Sequence, residues 1–329
     1  MIKQILRYCS CVVLFIAAFL PASCEDEEVR ELYGGPWRIV KTPAGIEASV
    51  GEIQFLSKND GWAIAGKYLL RFNGKEWYGY KKIVHPDPLS DYGFADFQML
   101  NENEGWFVGI EIVPDPRGGG RKIRHSMIWY FDGDTFTPVE HPDMGWLGTV
   151  WFNDNGDGWA LGYGALHYVN GTWEKVDINV IVEDCFFLSE TDGWAVSYGS
   201  VWHWDGITWT RVAEGESFEG FTSIAFNEKD SGWAGLYKER GGDPPLMFHY
   251  DGREWEEYGD IFDRDIRDID FYDSKYGCAV GDSAAVYEGG DWFRTSAPPA
   301  VFWCVECVGP NDIWAGSNSG DIYHFTGFN

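Results

Sequence analysis

Two histidines each begin the same three-residue sequence. His85-Pro86-Asp87 and His141-Pro142-Asp143 both place a carboxylate two residues after an imidazole. Both groups are common ligands of divalent metal ions, so the two sequences could share one cation if their loops are adjacent. Ordinary turn chemistry in two exposed loops is the plainer interpretation.

The cysteines offer a second candidate chemistry. Cys304 and Cys307 form a Cys-x-x-Cys sequence, which at a helix start would suggest a redox or zinc site. On a strand, however, residues three apart point to opposite faces, and no second such pair follows. In an exported chain Cys278 could form a disulfide with Cys304 or Cys307. Cys307 also matches a core position that is Phe in other parts of the chain, which favours packing for that residue. That position is held elsewhere by Phe55, Phe152, Phe187, Phe226 and Phe271.

A basic island is the third candidate. Arg117, Arg121, Lys122 and Arg124 lie close together in a chain of 329 residues with 25 Lys+Arg, 52 Asp+Glu and a net charge of −27. Such an acidic chain repels phosphate backbones, which excludes nucleic acid as a partner held by bulk electrostatics. The island could instead contact an acidic partner or be a solvated loop. Disorder is excluded by the aromatic content of 17%.

The first 24 residues have the pattern of a secretory signal. Lys3 and Arg7 precede an apolar run, residues 11–20, that is too short to span a bilayer. We therefore expect export to the periplasm, the cell surface or the medium, with a mature chain that has no membrane span. Losing these two cations changes the net charge from −27 to −29.

Residues 20–24, Leu-Pro-Ala-Ser-Cys, also resemble a bacterial lipobox, although Pro21 stands where an aliphatic residue is usual. Lipidation of Cys24 and plain cleavage near it are both open.

Beyond a short acidic linker, residues 25–34, the chain repeats one unit seven times. A Gly-Trp pair marks each unit, although the pair is degenerate in the last two copies. Successive Trp positions are 44, 53, 35, 39, 45 and 36 residues apart. Five copies continue to an Asn/Asp-Gly sequence between apolar runs, which predicts a hairpin with a type I′ turn. The Trp positions are 62, 106, 159, 194, 233, 278 (Cys) and 314.

Four short strands per unit, at a period near 42 residues, predict an all-β fold. One such sheet cannot bury both faces unless several pack radially, as in a β-propeller. The last copy ends without a fourth strand, whereas residues 34–40 match one. We therefore predict a single domain, residues 35–329, that is a seven-bladed β-propeller of four-stranded antiparallel blades closed by the N-terminal strand.

The two landmarks resemble those of the Asp-box (BNR-type) and photosystem II assembly-factor propellers. The nearest match is Asp192-Gly193-Trp194-Ala195-Val196 followed by Asp205-Gly206-Ile207-Thr208-Trp209. The resemblance covers residues 35–329, but the Ser/Thr that opens a full Asp box is absent from every copy. It implies the propeller superfamily, which includes glycosidases as well as assembly factors.

Residues that recur at one position of the repeat are assigned first to structure. Twelve of the 18 Trp residues fall at two such positions, and we expect them to pack between blades. His203, His249 and His324 share a third position with Arg71, Tyr130 and Tyr287, while His167 is one residue removed; we expect their rings to bridge strands. The twelve Trp positions are 62, 106, 159, 194, 233, 314, 37, 77, 173, 209, 255 and 292.

The innermost strand of each blade carries a carboxylate in four copies, at Glu52, Asp96, Asp184 and Asp268. A ring of carboxylates at the mouth of the central channel would attract Ca²⁺ or a cationic ligand. A water-filled channel that simply tolerates polar residues is the alternative. No other cofactor is expected.

The longest connections fall on one face of the predicted propeller, and that face also carries the basic island and Trp146. Long loops concentrated on one face predict a binding surface, with Arg117, Arg121, Arg124, Trp146, His85 and His141 as candidate ligand contacts. The sequence contains no catalytic set that breaks the repeat, so we expect a monomeric, non-enzymatic scaffold that binds a protein or peptide. A carbohydrate-binding or glycoside-hydrolysing propeller is the alternative.

Overall fold

The structure is a computed structural model that describes residues 36–43, 45–178, 180–214, 220–237, 247–259, 261–262, 265–296 and 300–327. Within these residues the chain forms 28 β-strands, β1 to β28, and no helix. The strands make seven antiparallel four-stranded sheets, which confirms the predicted seven-bladed propeller. We number the blades 1 to 7 along the chain and call their strands A to D from the channel outward.

The first four blades take their strands from residues 50–214. Blade 1 contains β2 (Val50–Ser57), β3 (Asp60–Ala65), β4 (Tyr68–Phe72) and β5 (Trp77–Lys82). Blade 2 contains β6 (Asp91–Asn101), β7 (Glu104–Pro114), β8 (Lys122–Phe131) and β9 (Phe136–Pro138). Blade 3 contains β10 (Leu147–Phe152), β11 (Gly158–Gly162), β12 (Gly164–Val169) and β13 (Thr172–Val176). Blade 4 contains β14 (Val182–Ser189), β15 (Asp192–Ser197), β16 (Ser200–Trp204) and β17 (Trp209–Glu214).

The last three blades complete the ring. Blade 5 contains β18 (Phe221–Glu228), β19 (Ser231–Leu236), β20 (Met247–Tyr250) and β21 (Trp255–Gly259). Blade 6 contains β22 (Ile266–Asp273), β23 (Tyr276–Gly281), β24 (Ala284–Glu288) and β25 (Asp291–Arg294). Blade 7 contains β26 (Phe302–Gly309), β27 (Asp312–Ser317) and β28 (Ile322–Phe325), and its strand D is β1 (Trp37–Val40).

The N-terminal strand closes the ring as predicted. β1 pairs antiparallel with β28, from Trp37 opposite Phe325 to Val40 opposite Ile322. Trp37 is buried, and its indole Nε1 donates to Thr295 Oγ1 of blade 6 at 3.0 Å. The first and last strands of the described propeller are therefore joined within one sheet.

Tryptophan pairs pack the blades against each other. Eleven of the twelve repeat Trp residues are buried and Trp255 is half-buried, which confirms the predicted packing role. At five junctions the strand B Trp of one blade meets the strand D Trp of the next edge-on, and each such pair adds about 0.5–1.5 kcal/mol beyond the area it buries. These pairs are Trp106–Trp173, Trp159–Trp209, Trp194–Trp255, Trp233–Trp292 and Trp314–Trp77, with centroids 5.5–6.0 Å apart.

The turn type predicted for the Asn/Asp-Gly sequences was right for one copy only. Asn170 and Gly171 both have positive φ, 51° and 84°, between the paired Val169 and Thr172. In the other four copies the loop has four residues, because the side-chain oxygen at its first position accepts the N–H groups two and three residues later. These caps are Asn73, Asp132, Asp205 and Asp251.

The strand C histidines bridge strands as expected, by two contacts each. Each ring lies over the strand B Trp opposite it, with centroids 3.8–4.4 Å apart, and reaches a polar side chain at the start of strand B. His167 is in register with Trp159, so its predicted offset was wrong. In blade 6 Val286, not Tyr287, faces Cys278. The polar partners are Asp157, Asp192, Ser231 and Asp312.

Candidate functional site

One face of the propeller carries its long connections. The antiparallel order of strands places the B–C and D–A connections on the same side, and we call this side the long-loop face. The A–B and C–D connections on the opposite face have two to five residues wherever both flanking strands are described. Connections that vary in length, and not the uniform turns, are where a repeat fold builds a binding surface.

Strand A side chains form a ring around the channel in two tiers. In the first tier Asp96, Asp184 and Asp268 each accept a hydrogen bond from a backbone N–H of the next blade's strand A. The donors are Val150 N at 2.7 Å, Ile224 N at 2.9 Å and Val305 N at 2.7 Å. In blade 5, Ser223 Oγ accepts in the same way from Ile269 N of blade 6 at 3.2 Å. Glu52 is the exception, since its Oε1 accepts from the adjacent Ile53 N.

The second tier lies two residues further along strand A. Gln54 and Asp270 accept from Met99 N and Cys307 N, both at 2.6 Å, and Glu306 accepts from Phe55 N at 3.2 Å. Gln98 accepts from Phe152 N. Among the described residues, these side-chain to backbone bonds connect every pair of neighbouring blades except blades 3 and 4. There the contacts are between side chains: Thr149 Oγ1 meets Cys185 Sγ at 3.6 Å, and Trp151 stacks on Phe187 with centroids 4.3 Å apart.

The four carboxylates considered for Ca²⁺ in the sequence, Glu52, Asp96, Asp184 and Asp268, all accept backbone N–H groups in this ring. Strand A is the inner edge strand of each blade, so its channel-facing backbone N–H groups have no neighbouring strand to bond. The side chains of Asp96, Asp184 and Asp268 accept such N–H groups from the next blade and so join blades. Burial is the main cause that raises the pKa of each of these three to about 7, and neighbouring channel carboxylates raise it further. The pKa of Glu52 is also raised well above its usual value, first by burial and then by Asp96 and Asp268. Among the residues that the structure describes, no group of three or more His, Cys, Asp or Glu is arranged to hold a metal ion.

The basic island lies on an arm that projects from the long-loop face. β7 and β8 continue about five residues past the end of other B and C strands, which is about 16 Å at the rise of a β-strand. Arg117 is neutralised at the tip by Asp115, 2.8 Å away. Arg121, Lys122 and Arg124 are exposed, and none forms an ion pair with a described residue. The predicted loop is thus largely a β-ribbon, with Lys122 and Arg124 on its second strand.

The two His-Pro-Asp sequences lie on opposite sides of blade 2, so they do not form the shared cation site that was considered beside ordinary turn chemistry. His85 packs against Trp129 and Tyr92 at the junction with blade 1, and its Nε2 lies 3.0 Å from Glu111 Oε1. His141 lies at the junction with blade 3, where its Nε2 contacts Ser126 Oγ at 3.0 Å.

The second sequence builds a clasp at the foot of the arm. Asp143 accepts hydrogen bonds from Ser126 N and Gly145 N and lies 2.6 Å from His125 Nδ1. These partners outweigh burial and lower the pKa of Asp143 to about 2. His85 and His141 are therefore positioned by internal contacts, and neither is presented as an open ligand contact.

The four cysteines that the structure describes are free thiols, so the disulfide considered for Cys278 with Cys304 or Cys307 is not formed among them. Cys304 packs between blades 7 and 1, whereas Cys307 and Cys278 pack between blades 6 and 7. Residues three apart on a strand do point to opposite faces here, as expected, which separates Cys304 from Cys278. Burial raises the pKa of all four thiols well above the usual value. Cys24 and the linker lie outside the described residues.

A cavity of about 470 Å³ opens at the channel mouth on the long-loop face. Trp146, one of the predicted contacts, lines it together with Trp151 and Trp303, which the sequence analysis missed. Glu183 and Arg267 also line it and were missed too. Glu183, Arg267 and Trp303 each directly precede the carboxylate position of strand A, which is residue 184, 268 or 304. Their only signature in the sequence is that they do not recur in the other blades.

This chain is similar in structure, but not detectably in sequence, to known proteins. No protein-family model matches the chain, and no curated protein matches it in sequence. Solved structures do match. The structure titled "YCF48 bound to D1 peptide" has a TM-score of 0.66 and 16% identity over 89% of this chain and 97% of that one. The WD40 β-propeller domain of Doa1 has a TM-score of 0.67 and 13% identity over 88% of this chain and 97% of that one.

The chain is a β-propeller. The likeness extends to an extracellular domain of the putative hybrid two component system BT4673 from B. thetaiotaomicron, with a TM-score of 0.61 and 11% identity over 88% of this chain and 39% of that one. At these identities the comparisons show a common fold and no Asp-box membership in particular. Within the described part of the propeller, no helix is long and apolar enough to cross a membrane.

Proposed function

We propose that this propeller is a non-enzymatic binding protein that holds a protein or peptide on its long-loop face. The observation that carries the proposal is the arm of blade 2, with three exposed cations that have no ion-pair partner among the described residues. In a chain of net charge −27 an acidic partner is otherwise repelled. The arm projects about 16 Å, which is twice the screening length of about 8 Å at physiological salt. Salt therefore screens most of the negative charge of the blades at the tip of the arm, where an acidic partner can approach the cations.

Two further points support this function. YCF48, one of the similar propellers, is described with a bound D1 peptide, which agrees with peptide binding by this fold. The sequence pattern of residues 1–24 supports a location outside the cytoplasm, by free secretion or by a lipid on Cys24, and the extracellular domains among the similar structures agree with it.

The test is a charge reversal with a matched control. The arm variant carries Arg121→Glu, Lys122→Glu and Arg124→Glu, and the control carries Lys58→Glu, Lys229→Glu and Lys275→Glu in A–B turns of the opposite face. Both change the net charge by six. Binding of a fluorescein-labelled peptide of eight glutamates is followed by anisotropy, and partners captured from cell-envelope extract are quantified by mass spectrometry.

We expect the arm variant to weaken peptide binding at least tenfold and to lose the partners that the control retains. Binding should also weaken as salt is raised from 50 to 200 mM. Equal behaviour of the two variants would show that the arm is not the docking element.

A further inference from the structure

The tryptophans outside the repeat gather at one place. Of the six Trp residues that the two repeat positions leave over, three line the cavity at the channel mouth: Trp146, Trp151 and Trp303. Trp303 keeps 43% of its surface exposed, whereas every other Trp that the structure describes is buried or half-buried. The cavity volume of about 470 Å³ lies in the range of sites for small ligands and single peptide segments.

The side of the cavity formed by blades 3 and 4 suits a cation. This is the one junction where the two tiers provide no side-chain bond to the neighbouring backbone, and Trp151 fills that place. Glu183, at the start of strand A in blade 4, lines the cavity and has no hydrogen bond or ion pair with a described residue. Glu183, Trp146 and Trp151 line the same cavity. A carboxylate and indole rings together can bind ammonium and guanidinium groups. Burial raises the pKa of Glu183, which a bound cation would oppose.

The opposite side of the cavity offers a hydrogen-bond donor. The Arg267 guanidinium lies 4.3 Å above the Trp303 ring and 3.6 Å from Asp265 Oδ2. Its Nε is buried and donates to no described acceptor. The Arg267 side chain is 20% exposed where it lines the cavity, so a ligand oxygen can accept a hydrogen bond from its guanidinium. A carbonyl of a peptide backbone is such an oxygen.

We propose that the channel mouth binds a peptide segment with a lysine or arginine side chain. The cationic group enters between Trp146 and Trp151 and pairs with Glu183, while a backbone carbonyl of the same segment accepts from the Arg267 guanidinium. The proposal rests on the proposed function in that both place a partner on the long-loop face. It adds a second contact of opposite charge, close to the channel axis and separate from the arm.

The test uses two peptides that differ in one charge. Acetyl-Ala-Arg-Ala-amide and acetyl-Ala-citrulline-Ala-amide have nearly the same shape, because citrulline replaces the guanidinium by a neutral urea. Binding is measured by calorimetry with the full chain and with Glu183→Gln. The control is Glu190→Gln, an exposed residue in the A–B turn of the same blade.

We expect the arginine peptide to bind at least fivefold more tightly than the citrulline peptide, and Glu183→Gln to remove most of that difference. Glu190→Gln should bind both peptides as the unmodified chain does. Equal binding of the two peptides, no binding of either, an unchanged preference in Glu183→Gln or recognition of glycans alone on an array would overturn the proposal. Since the arm variant keeps Glu183 and the Glu183→Gln variant keeps the arm, the failure of one proposal is distinguishable from the failure of the other.

Discussion

Cys307 and Ile313 face each other across strands A and B of blade 7, and each departs from the repeat in a way that accommodates the other. In blades 1, 3, 4, 5 and 6 the strand A residue is Phe and its partner is Gly. The ring lies so close that a Cβ on the glycine would fall 2.3–2.7 Å from the nearest ring carbon. In blade 7 the small thiol leaves room, and the Ile313 side chain occupies it.

This exchange predicts an unusual pair of phenotypes. Cys307→Phe would bring a ring against Ile313 and should lower the free energy of unfolding by about 1–3 kcal/mol through overpacking. Adding Ile313→Gly restores the arrangement of the other blades and should recover part of that loss. Urea unfolding of both variants provides the measurement. A double variant no more stable than Cys307→Phe would mean that the two positions do not compensate.

The same geometry makes Gly193 intolerant of the smallest side chain. A Cβ there would lie 2.4 Å from Phe187 Cε1, so Gly193→Ala should cost about 1–3 kcal/mol of unfolding free energy. Gly199 in the same blade has no heavy atom within 4 Å of its ideal Cβ position and serves as the control. Thermal unfolding should separate the two alanine variants by several degrees, and equal melting temperatures would contradict the packing argument.

The channel carboxylates predict a stability that falls as the pH rises. Asp96, Asp184 and Asp268 have folded pKa values of about 7, against about 3.9 in the unfolded chain. Between these values the folded state binds more protons, so the free energy of unfolding decreases from about pH 4 and levels off above about pH 7. Urea unfolding at pH 5 and pH 8 measures the difference.

A single substitution tests whether the channel causes this trend. Asp184→Ser installs the residue that blade 5 carries at the same position, where Ser223 still accepts a backbone N–H. The variant should be less sensitive to pH between 5 and 8 than the unmodified chain. An unchanged pH profile would assign the trend to other groups.

Closure of the ring depends on one tryptophan near the start of the chain. Trp37 packs against Phe302 and Phe325, with centroids 5.6 and 5.3 Å away, besides its bond to Thr295. Trp37→Ala should therefore cost about 3–5 kcal/mol. The adjacent Arg38 is exposed, so Arg38→Ala should leave the urea midpoint within experimental error. Similar losses in both variants would argue against a specific role for the indole.

Repetition explains how far the sequence predicted this structure. Trp and Phe recur at the positions of Trp194 and Phe187 in several blades. Because the same residues repeat along the sequence, a pattern that is weak in one copy predicts the strand order and the closure of the ring when all copies are compared. Glu183 and Arg267 have no such support. Their orientation depends on the bulges of strand A, which displace side chains relative to the ladder, and a pattern of alternating residues does not reveal where a bulge falls.

The pairing of β1 with β28 also sets the order of events when the chain is made. The first strand leaves the ribosome about 290 residues before its partner, a delay of about 15–60 s at ordinary synthesis rates. During that interval Trp37 has no sheet to join, and six blades can form with a gap where the seventh belongs. A chain that stops short of Phe325 keeps this gap, with its apolar walls exposed to proteases and chaperones. The ring therefore closes only in a chain that contains both β1 and β28.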